Sequence, residues 1–267
     1  VGTLLIDPKN ILIQENSNLS GDDISQNLAV NNVILQANND ITVDDDITGI
    51  GTNNLTLEAG RSVNIGENRN IFLSGGSFNA KINDENALPS ERDTGIAEFQ
   101  MNPQSSIITN GGDVNIVSGS FENVSRINTL SAAILSSQIN GTSGNINLSA
   151  IGDITTGRLI SGILNPDGDS SLNAGDINIS STNGDILTTD FIWANSLIKA
   201  GNIELQAAND INLTATQAVE NGNIASIGGR VAGKITFDSS TLTSQNVRTL
   251  NGILGEGIGH DITVNAK

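Results

Sequence analysis

Cysteine and tyrosine are absent from this 267-residue sequence, and aromatic residues make up only 3% of it. Without cysteine, neither a disulfide framework nor a thiolate metal site can form. A core of this size normally takes much of its buried area from Phe, Tyr and Trp. Ile, Leu and Val carry the apolar content here, in short runs separated by Asn, Ser, Thr and Gly. This mixture favours many short strands joined by tight turns, and it excludes intrinsic disorder.

Positive charge is also scarce. The 12 Lys and Arg residues stand against 29 Asp and Glu, which gives a formal net charge of −17. A nucleic-acid partner is not expected, because phosphate binding requires a basic surface. Insertion into a membrane is not expected either, since no apolar run approaches the roughly 20 residues of a spanning helix. The simplest role of the negative charge is to keep a β-rich protein soluble.

A short unit recurs along the whole chain: Asn or Asp, an aliphatic residue, any residue, and a second aliphatic residue. Gly or Asn often stands immediately before it. The alternation predicts that each unit is a short strand whose aliphatic side chains face inward. Clear copies lie at 32–35, 40–43, 54–57, 62–65, 70–73, 113–116, 145–148, 176–179, 202–205, 210–213, 234–237 and 261–264.

The spacing of these units predicts a solenoid. Units pair eight or nine residues apart within a longer period of 26–32 residues, and a superperiod of this length is typical of solenoids and propellers. The aromatic, Gly-His and Trp-Asp signatures of propeller blades are missing. We therefore expect an all-β fold, a right-handed parallel β-helix of about ten turns and about 50 Å in length. The aliphatic side chains predicted to stack inside it are Val114, Ile146, Ile177, Ile203, Ile235 and Ile262.

One segment, residues 76–104, lacks clean units and is predicted to leave the regular coil as an insertion. It holds two of the four prolines and gathers charged residues. Insertions in solenoids leave from one corner and often carry a binding surface. The alternative is an ordered excursion that only packs against the rod. The charged residues of this candidate interaction loop are Lys81, Asp84, Glu85, Glu91, Arg92, Asp93 and Glu98.

The two ends of the sequence do not look like caps. A solenoid usually needs polar caps over its open strand edges, yet the chain enters an apolar run at 4–6 and stops three residues after Val264. We therefore expect residues 1–267 to be a single β-helix segment of a longer chain, or to stack end to end on further copies of itself.

Three features carry a resemblance to a known family. They are the opening segment 2–11, the segments 86–93 and 96–99, and the repeated Gly-Asp-Ile and Asn-Asp-Ile units. Through them nearly the whole chain resembles the filamentous haemagglutinin-like exoproteins of the cyanobacterial type, which are exported by two-partner secretion. The resemblance implies a right-handed parallel β-helix at the bacterial cell surface or outside the cell. It also implies a role in adhesion or in building an extracellular fibre or matrix. The secretion domain that normally precedes such repeats is missing from this sequence.

The rival hypothesis is a β-helical carbohydrate-active enzyme, a polysaccharide lyase or a glycosidase. Such enzymes place carboxylates in a groove along the rod, often with calcium and a basic residue. His260 is the only histidine and no G-x-S-x-G motif occurs, so a hydrolase triad is not expected. We expect no enzymatic activity. The carboxylates that could serve the rival hypothesis are Asp22–Asp23, Asp44–Asp46, and Asp84 with Glu85 near Arg92.

Two further features are candidate binding sites. Phe191 and Trp193 alternate with Ile192 in one predicted strand, so they share a face. They are either core residues, which is the preferred interpretation, or a platform on which a glycan stacks. Asp167 and Asp169 alternate around a glycine as calcium ligands do, but the closing bidentate Glu is missing. No other cofactor is expected, and the expected partners are a surface receptor, a glycan, or further copies of the chain.

Overall fold

Every strand pairing in the described part of the chain is parallel, and each joins strands of successive turns. The structure is a computed structural model and describes residues 3–6, 8–163, 170–214, 224–228, 234–243, 247–251 and 262–266. Because each turn stacks on the one before it, the chain is a parallel β-helix, and the prediction of this fold is confirmed. The strands form three sides of a rod, which we call faces 1, 2 and 3 in the order in which the chain meets them.

Face 1 is a ten-stranded sheet whose strand order follows the chain. With successive strands about 4.8 Å apart, these ten strands span about 45 Å. They are β1 (Thr3–Ile6), β3 (Asn32–Ala37), β6 (Leu55–Ala59), β9 (Phe78–Ile82), β12 (Val114–Ser118), β14 (Ile146–Ala150), β16 (Ile177–Ser181), β19 (Ile203–Ala207), β22 (Ile235–Ser239) and β25 (Ile262–Ala266).

Faces 2 and 3 merge into one 15-stranded sheet, because β13 (Ser125–Leu135) and β15 (Ile154–Gly162) run along both faces. The other strands of face 2 are β2 (Ile11–Gln14), β4 (Ile41–Asp44), β7 (Val63–Ile65), β10 (Ala97–Met101), β17 (Ile186–Thr188), β20 (Asp210–Leu213) and β23 (Thr241–Thr243). The other strands of face 3 are β5 (Ile47–Gly49), β8 (Asn70–Leu73), β11 (Ser106–Ile108), β18 (Ile192–Ala194), β21 (Ile224–Gly228) and β24 (Val247–Asn251).

The core is made of aliphatic ladders, as the repeat predicts. The six residues expected to stack pair consecutively, from Val114 with Ile146 through to Ile235 with Ile262. The first five are fully buried, but Ile262 is 45% exposed. The prediction of its register is therefore right and the prediction of its burial is wrong, because β25 pairs with a described strand on one side only.

A ladder of hydrogen bonds runs along the corner before face 1, and we call it the corner ladder. From Asn32 to Asn202, the residue that opens the strand unit offers a side-chain oxygen to the backbone N–H of its counterpart one coil later, as Asn145 Oδ1 does to Asp176 N at 2.8 Å. Backbone donors at the corner are thereby satisfied without water. The ladder contains Asn32, Asn54, Ser77, Asp113, Asn145, Asp176, Asn202 and Lys234.

A column of buried glycines stands next to the corner ladder. A Cβ on Gly175 would lie within 3.0 Å of the Gly144 carbonyl and of Asn145 N, and a Cβ on Gly144 would meet Gly112 in the same way. Successive coils thus approach too closely here for any side chain. The recurring Gly-Asp-Ile and Gly-Asn-Ile sequences therefore combine a close-packing position, a corner acceptor and a core residue.

A helix that the sequence analysis did not predict covers the first strand of face 3. Helix α1 (Gly21–Leu28) buries Ile24 and Leu28 completely. It also accepts a hydrogen bond from Thr48 N, in β5, at Ser25 Oγ (2.8 Å). The expectation that nothing near the start of the sequence blunts a strand edge is therefore wrong for face 3.

The predicted insertion at 76–104 is narrower than expected. Strand β9 pairs with β6 and β12, and β10 pairs with β7 and β13, so both ends of that range belong to the regular coil. Only residues 83–96, which link β9 to β10, leave the coil, and we call them the strap. The charged residues and the missing strand units of 76–104 indicated the excursion. Its predicted bounds were too wide because Phe78 and Phe99 fill core positions that Ile, Leu or Val fill in most other coils.

Candidate binding surface

The strap lies along the corner between faces 1 and 2, where Arg92 fixes it. The Arg92 side chain is 2% exposed and donates from Nε to the Gly60 carbonyl at 2.7 Å. Its guanidinium lies 4.5 Å from the ring centroid of Phe121 and 3.3 Å from Glu122 Oε1. Burial lowers the pKa of Arg92 and outweighs the opposite effect of Glu122. Arg92 thus joins the strap to the coil before β9 and to the coil after β10.

Two asparagines hold the strap to earlier coils. Asn38 accepts from Leu88 N at 2.8 Å, and Asn39 accepts from Asp93 N at 2.9 Å. Asp93 also forms an ion pair with Lys9 at 2.8 Å, in the first coil. The strap therefore spans five coils, from the one that holds Lys9 to the one that follows β10.

Most of the charges proposed for an interaction loop are engaged within the chain. Lys81 pairs with Asp84 and Glu85, each at 2.9 Å, and Glu91 accepts from Asn38 at 3.1 Å. Hydrogen bonds from Lys81 and Lys9 lower the pKa values of Glu85 and Asp93 respectively. Of the seven residues, Glu98 lies on strand β10 rather than in the strap, as Lys81 lies on β9. These contacts match the alternative stated above, an ordered excursion that packs against the rod.

The outer surfaces of faces 1 and 2 are mostly polar, with Leu12 and Val117 as exposed apolar exceptions. On face 1 a row of asparagine amides is hydrogen-bonded from coil to coil at 2.8–2.9 Å, through Asn79, Asn115, Asn147 and Asn178. On face 2 Asn128 donates to Gln100 at 3.1 Å. These rows occupy the middle position of the strand unit, where the sequence predicts an outward polar side chain.

The outer surface of face 3 is different, because one row of its outward side chains is apolar. We call this row the apolar column. Phe72 is 37% exposed and Ile160 only 7%, while the other members of the column are partly exposed. The column consists of Phe72, Ile108, Leu135, Ile160 and Trp193, which pair in that order.

Phe191 and Trp193 lie at the outer surface of face 3, not in the core. Ile192 takes the inward position and is fully buried, whereas its two neighbours are half-buried. The rings of Phe191 and Trp193 stack with centroids 4.1 Å apart, and the Arg158 guanidinium lies 4.7 Å from the Phe191 centroid. The prediction that they share a face is right, and the preference for the core is wrong. The two rings and Arg158 form a compact cluster beside the end of the apolar column.

The apolar column was not predicted from the sequence, although the sequence contains a signal for it. The third strand of a coil often has an apolar residue at its middle position, as in Ile71-Phe72-Leu73 and Ile107-Ile108. Across all units the middle position is usually Asn, Thr or Glu, and this majority hides the apolar residues of the third strand. Separating the units by face would have exposed the column.

The candidate carboxylates mostly have structural partners. Among the described residues, no group of three or more His, Asp or Glu side chains could hold a metal ion. Asp167, Asp169 and His260 lie outside the described residues. The partnered carboxylates are Asp23 with Ser20, Asp44 with Arg69, Asp45 with Gly21, Asp46 with Asn70, and Asp84 and Glu85 with Lys81.

Comparisons with protein-family models, with curated proteins and with solved structures find no match to this chain. Within the described ranges, no helix has the length and apolar character needed to cross a membrane. The evidence for the candidate surface is therefore its geometry, a contiguous apolar and aromatic row on face 3 of a rod whose other two faces are mostly polar.

Proposed function

We propose that this chain is a structural and adhesive rod of a bacterial surface or secreted exoprotein. In this proposal it mediates adhesion or the assembly of an extracellular fibre or matrix, with a surface receptor, a glycan or further copies of the chain as partner. The observation that carries the proposal is the apolar column on face 3. Contiguous exposed apolar side chains mark interaction sites, whereas single ones are ordinary.

The contrast between the faces supports a binding role for face 3. Outward positions on faces 1 and 2 are mostly polar or charged. Exposed apolar exceptions are flanked by polar side chains: Leu12 on face 2 pairs with Thr42, and Val117 on face 1 lies between Lys81 and Ser149. Phe72 keeps a large ring 37% exposed. Full burial of such a side chain supplies about 1.5–3 kcal/mol, so its exposed third leaves about 0.5–1 kcal/mol unrealised. A partner that covers Phe72, Ile108 and Leu135 would recover part of this free energy.

The test uses the single tryptophan of the chain, Trp193. Purified chain is passed over surfaces that carry cellulose, chitin, alginate or octyl groups, and its retention is measured with a microbalance. In parallel, the fluorescence of Trp193 is recorded with soluble fragments of the same polysaccharides. We expect retention on at least one surface, and an emission shift with the matching polysaccharide when its fragment contacts face 3.

The double variant Phe72→Ser with Leu135→Ser should lower retention at least about tenfold, since ~1.4 kcal/mol of lost contact is a factor of ten. The matched control is Val117→Ser, because Val117 is also 37% exposed but lies on face 1. Equal retention of the double variant and the control would contradict the proposal, as would a native chain that binds none of the surfaces. Sedimentation of the same variants tests whether the partner is a further copy of the chain.

We also propose that the chain has no catalytic activity. The partners of the candidate carboxylates support this, because a carboxylate held by a corner amide or an ion pair is already committed to the fold. Release of reducing ends or unsaturated sugars from the retained polysaccharides would instead support a carbohydrate-active enzyme.

A further inference from the structure

Asn-Gly pairs recur at the corners of the rod. The three pairs in the described residues are at 110–111, 140–141 and 183–184; the pair at 221–222 and residue Gly252 of the pair at 251–252 lie outside the described residues. Asn-Gly is the dipeptide in which the backbone nitrogen most readily attacks the asparagine side chain, because glycine has no Cβ to obstruct the approach. The three pairs share this chemistry, so the surrounding structure decides whether each one reacts.

Two of the three pairs are locked by hydrogen bonds. Gly111 N donates to the Ser136 carbonyl at 3.1 Å, and Gly184 N donates to Ser181 Oγ at 2.9 Å. Gly184 is also buried. A nitrogen held in this way can attack a side chain only after its hydrogen bond has opened, and opening leaves a polar group without its partner.

The pair Asn140–Gly141 is not locked. Asn140 is exposed and has a left-handed backbone with φ 54°. Its backbone N donates to the Ser170 carbonyl at 2.8 Å, and the Gly141 carbonyl accepts from Leu172 N at 2.8 Å. Neither Gly141 N nor the Asn140 side chain has a hydrogen-bond partner among the residues that the structure describes. The corner thus holds the backbone in place on both sides while it leaves the reacting atoms free.

We propose that Asn140–Gly141 is a site of spontaneous succinimide formation in the folded protein. The Gly141 nitrogen gives its proton to water or hydroxide and forms a bond to Asn140 Cγ. The bond from Cγ to the side-chain nitrogen breaks, and that nitrogen leaves as ammonia after taking up a proton. Water then opens the ring at either carbonyl, which leaves aspartate or isoaspartate at position 140. The sequence needs no oxidant or reductant, and it is independent of the proposed adhesive function.

The modification has a defined structural effect. It adds one negative charge, and isoaspartate also inserts an extra carbon into the backbone. This happens where the Gly141 carbonyl accepts from Leu172 and where Thr142 bridges to Asn173. We expect the lengthened corner to weaken these contacts to the next coil while the sheets stay paired.

The test follows all three pairs in one molecule. The intact chain is incubated at mildly alkaline pH, digested, and analysed by mass spectrometry for amide-to-acid conversion, and isoaspartate is counted with an isoaspartyl methyltransferase. We expect conversion at Asn140 at least about fivefold faster than at Asn110 and Asn183, because the latter two need a hydrogen bond to open first. In urea the three rates should converge, since the dipeptides are identical.

Gly141→Ala provides a matched variant, because its Cβ would meet only the flexible Gln138 side chain. It should slow conversion at Asn140 without changing the rates at the other two pairs. Similar rates at all three pairs in the folded chain would overturn the proposal. Slower conversion at Asn140 than at Asn110 or Asn183 would overturn it as well.

Discussion

Replacing Gly175 by alanine should be among the most damaging changes that a single methyl group can make to this rod. The Cβ would lie within 3.0 Å of the Gly144 carbonyl oxygen, of the Gly144 carbonyl carbon and of Asn145 N. All three atoms are backbone of the previous coil, and that backbone is paired into a sheet on both sides. The methyl group therefore cannot be accommodated by turning a side chain, and the two coils must separate at this corner.

The cost can be worked out from what the separation breaks. Overpacking a closely packed site costs about 1–3 kcal/mol. The neighbouring residue, Asp176, donates to Asn145 Oδ1 at 2.8 Å and accepts from Asn202 N at 2.7 Å. Losing one or both of these hydrogen bonds adds about 0.5–1.5 kcal/mol each. We expect Gly175→Ala to lower the free energy of unfolding by about 2–6 kcal/mol.

Gly51→Ala is the matched control, because a Cβ on Gly51 would meet nothing closer than 3.6 Å. Alanine there should be neutral or should stabilise by about 0.4–1 kcal/mol, since it restricts the unfolded chain. Both variants are unfolded in urea and followed by circular dichroism, and hydrogen exchange locates the loss. The reasoning is refuted if Gly175→Ala unfolds at the same urea concentration as Gly51→Ala.

Three other predictions concern the amide row and the strap. Asn147→Leu should lower the free energy of unfolding by about 1–3 kcal/mol, because it removes one donor and one acceptor from the amide row. Urea unfolding should show a smaller decrease for the control Asn212→Leu, because Asn212 lies outside the row. Arg92→Ala should speed proteolysis within the strap, whereas Arg126→Ala should not; equal cleavage rates would contradict the buried anchor. The ion pair with Lys9 lowers the pKa of Asp93, so its contribution to stability is present above the ordinary carboxyl pKa and is lost as pH falls through the lowered value. The protection factors of the strap amides, which are corrected for the pH dependence of intrinsic exchange, should therefore fall below about pH 4. Unchanged protection factors at about pH 3 would count against this last prediction.

Local alternation allowed the core of the rod to be predicted from the sequence. A parallel coil places the same position of each unit in the same environment, so Ile146 and Ile177 carry the same information, and a register shift of one residue would turn both outward. The chain repeats this signal often enough to define the coil length. Phe78 and Phe99 were missed because they fill the same core positions with a different residue type.

Contacts between distant parts of the sequence explain what could not be predicted. The charge of Arg92 looks solvated in the sequence, and only the folded coil brings Gly60 and Glu122 to it. Helix α1 had a local signal, since Ser20 and Asp23 form a capping box and Ile24 and Leu28 are four residues apart. The helix is a single short segment, however, and a search for repeats does not find what occurs once.

The corner ladder gives the rod a polarity. In every step the side-chain oxygen belongs to the earlier coil and the backbone N–H belongs to the later one. Asp113 Oδ1, for example, accepts from Asn145 N, and Asn145 Oδ1 accepts from Asp176 N. A coil that has already formed therefore presents acceptors at the positions where the next coil must place its donors. The open sheet edges offer a template at the same time. A coil that folds onto this surface is therefore held in one register by side-chain acceptors as well as by the open sheet edges.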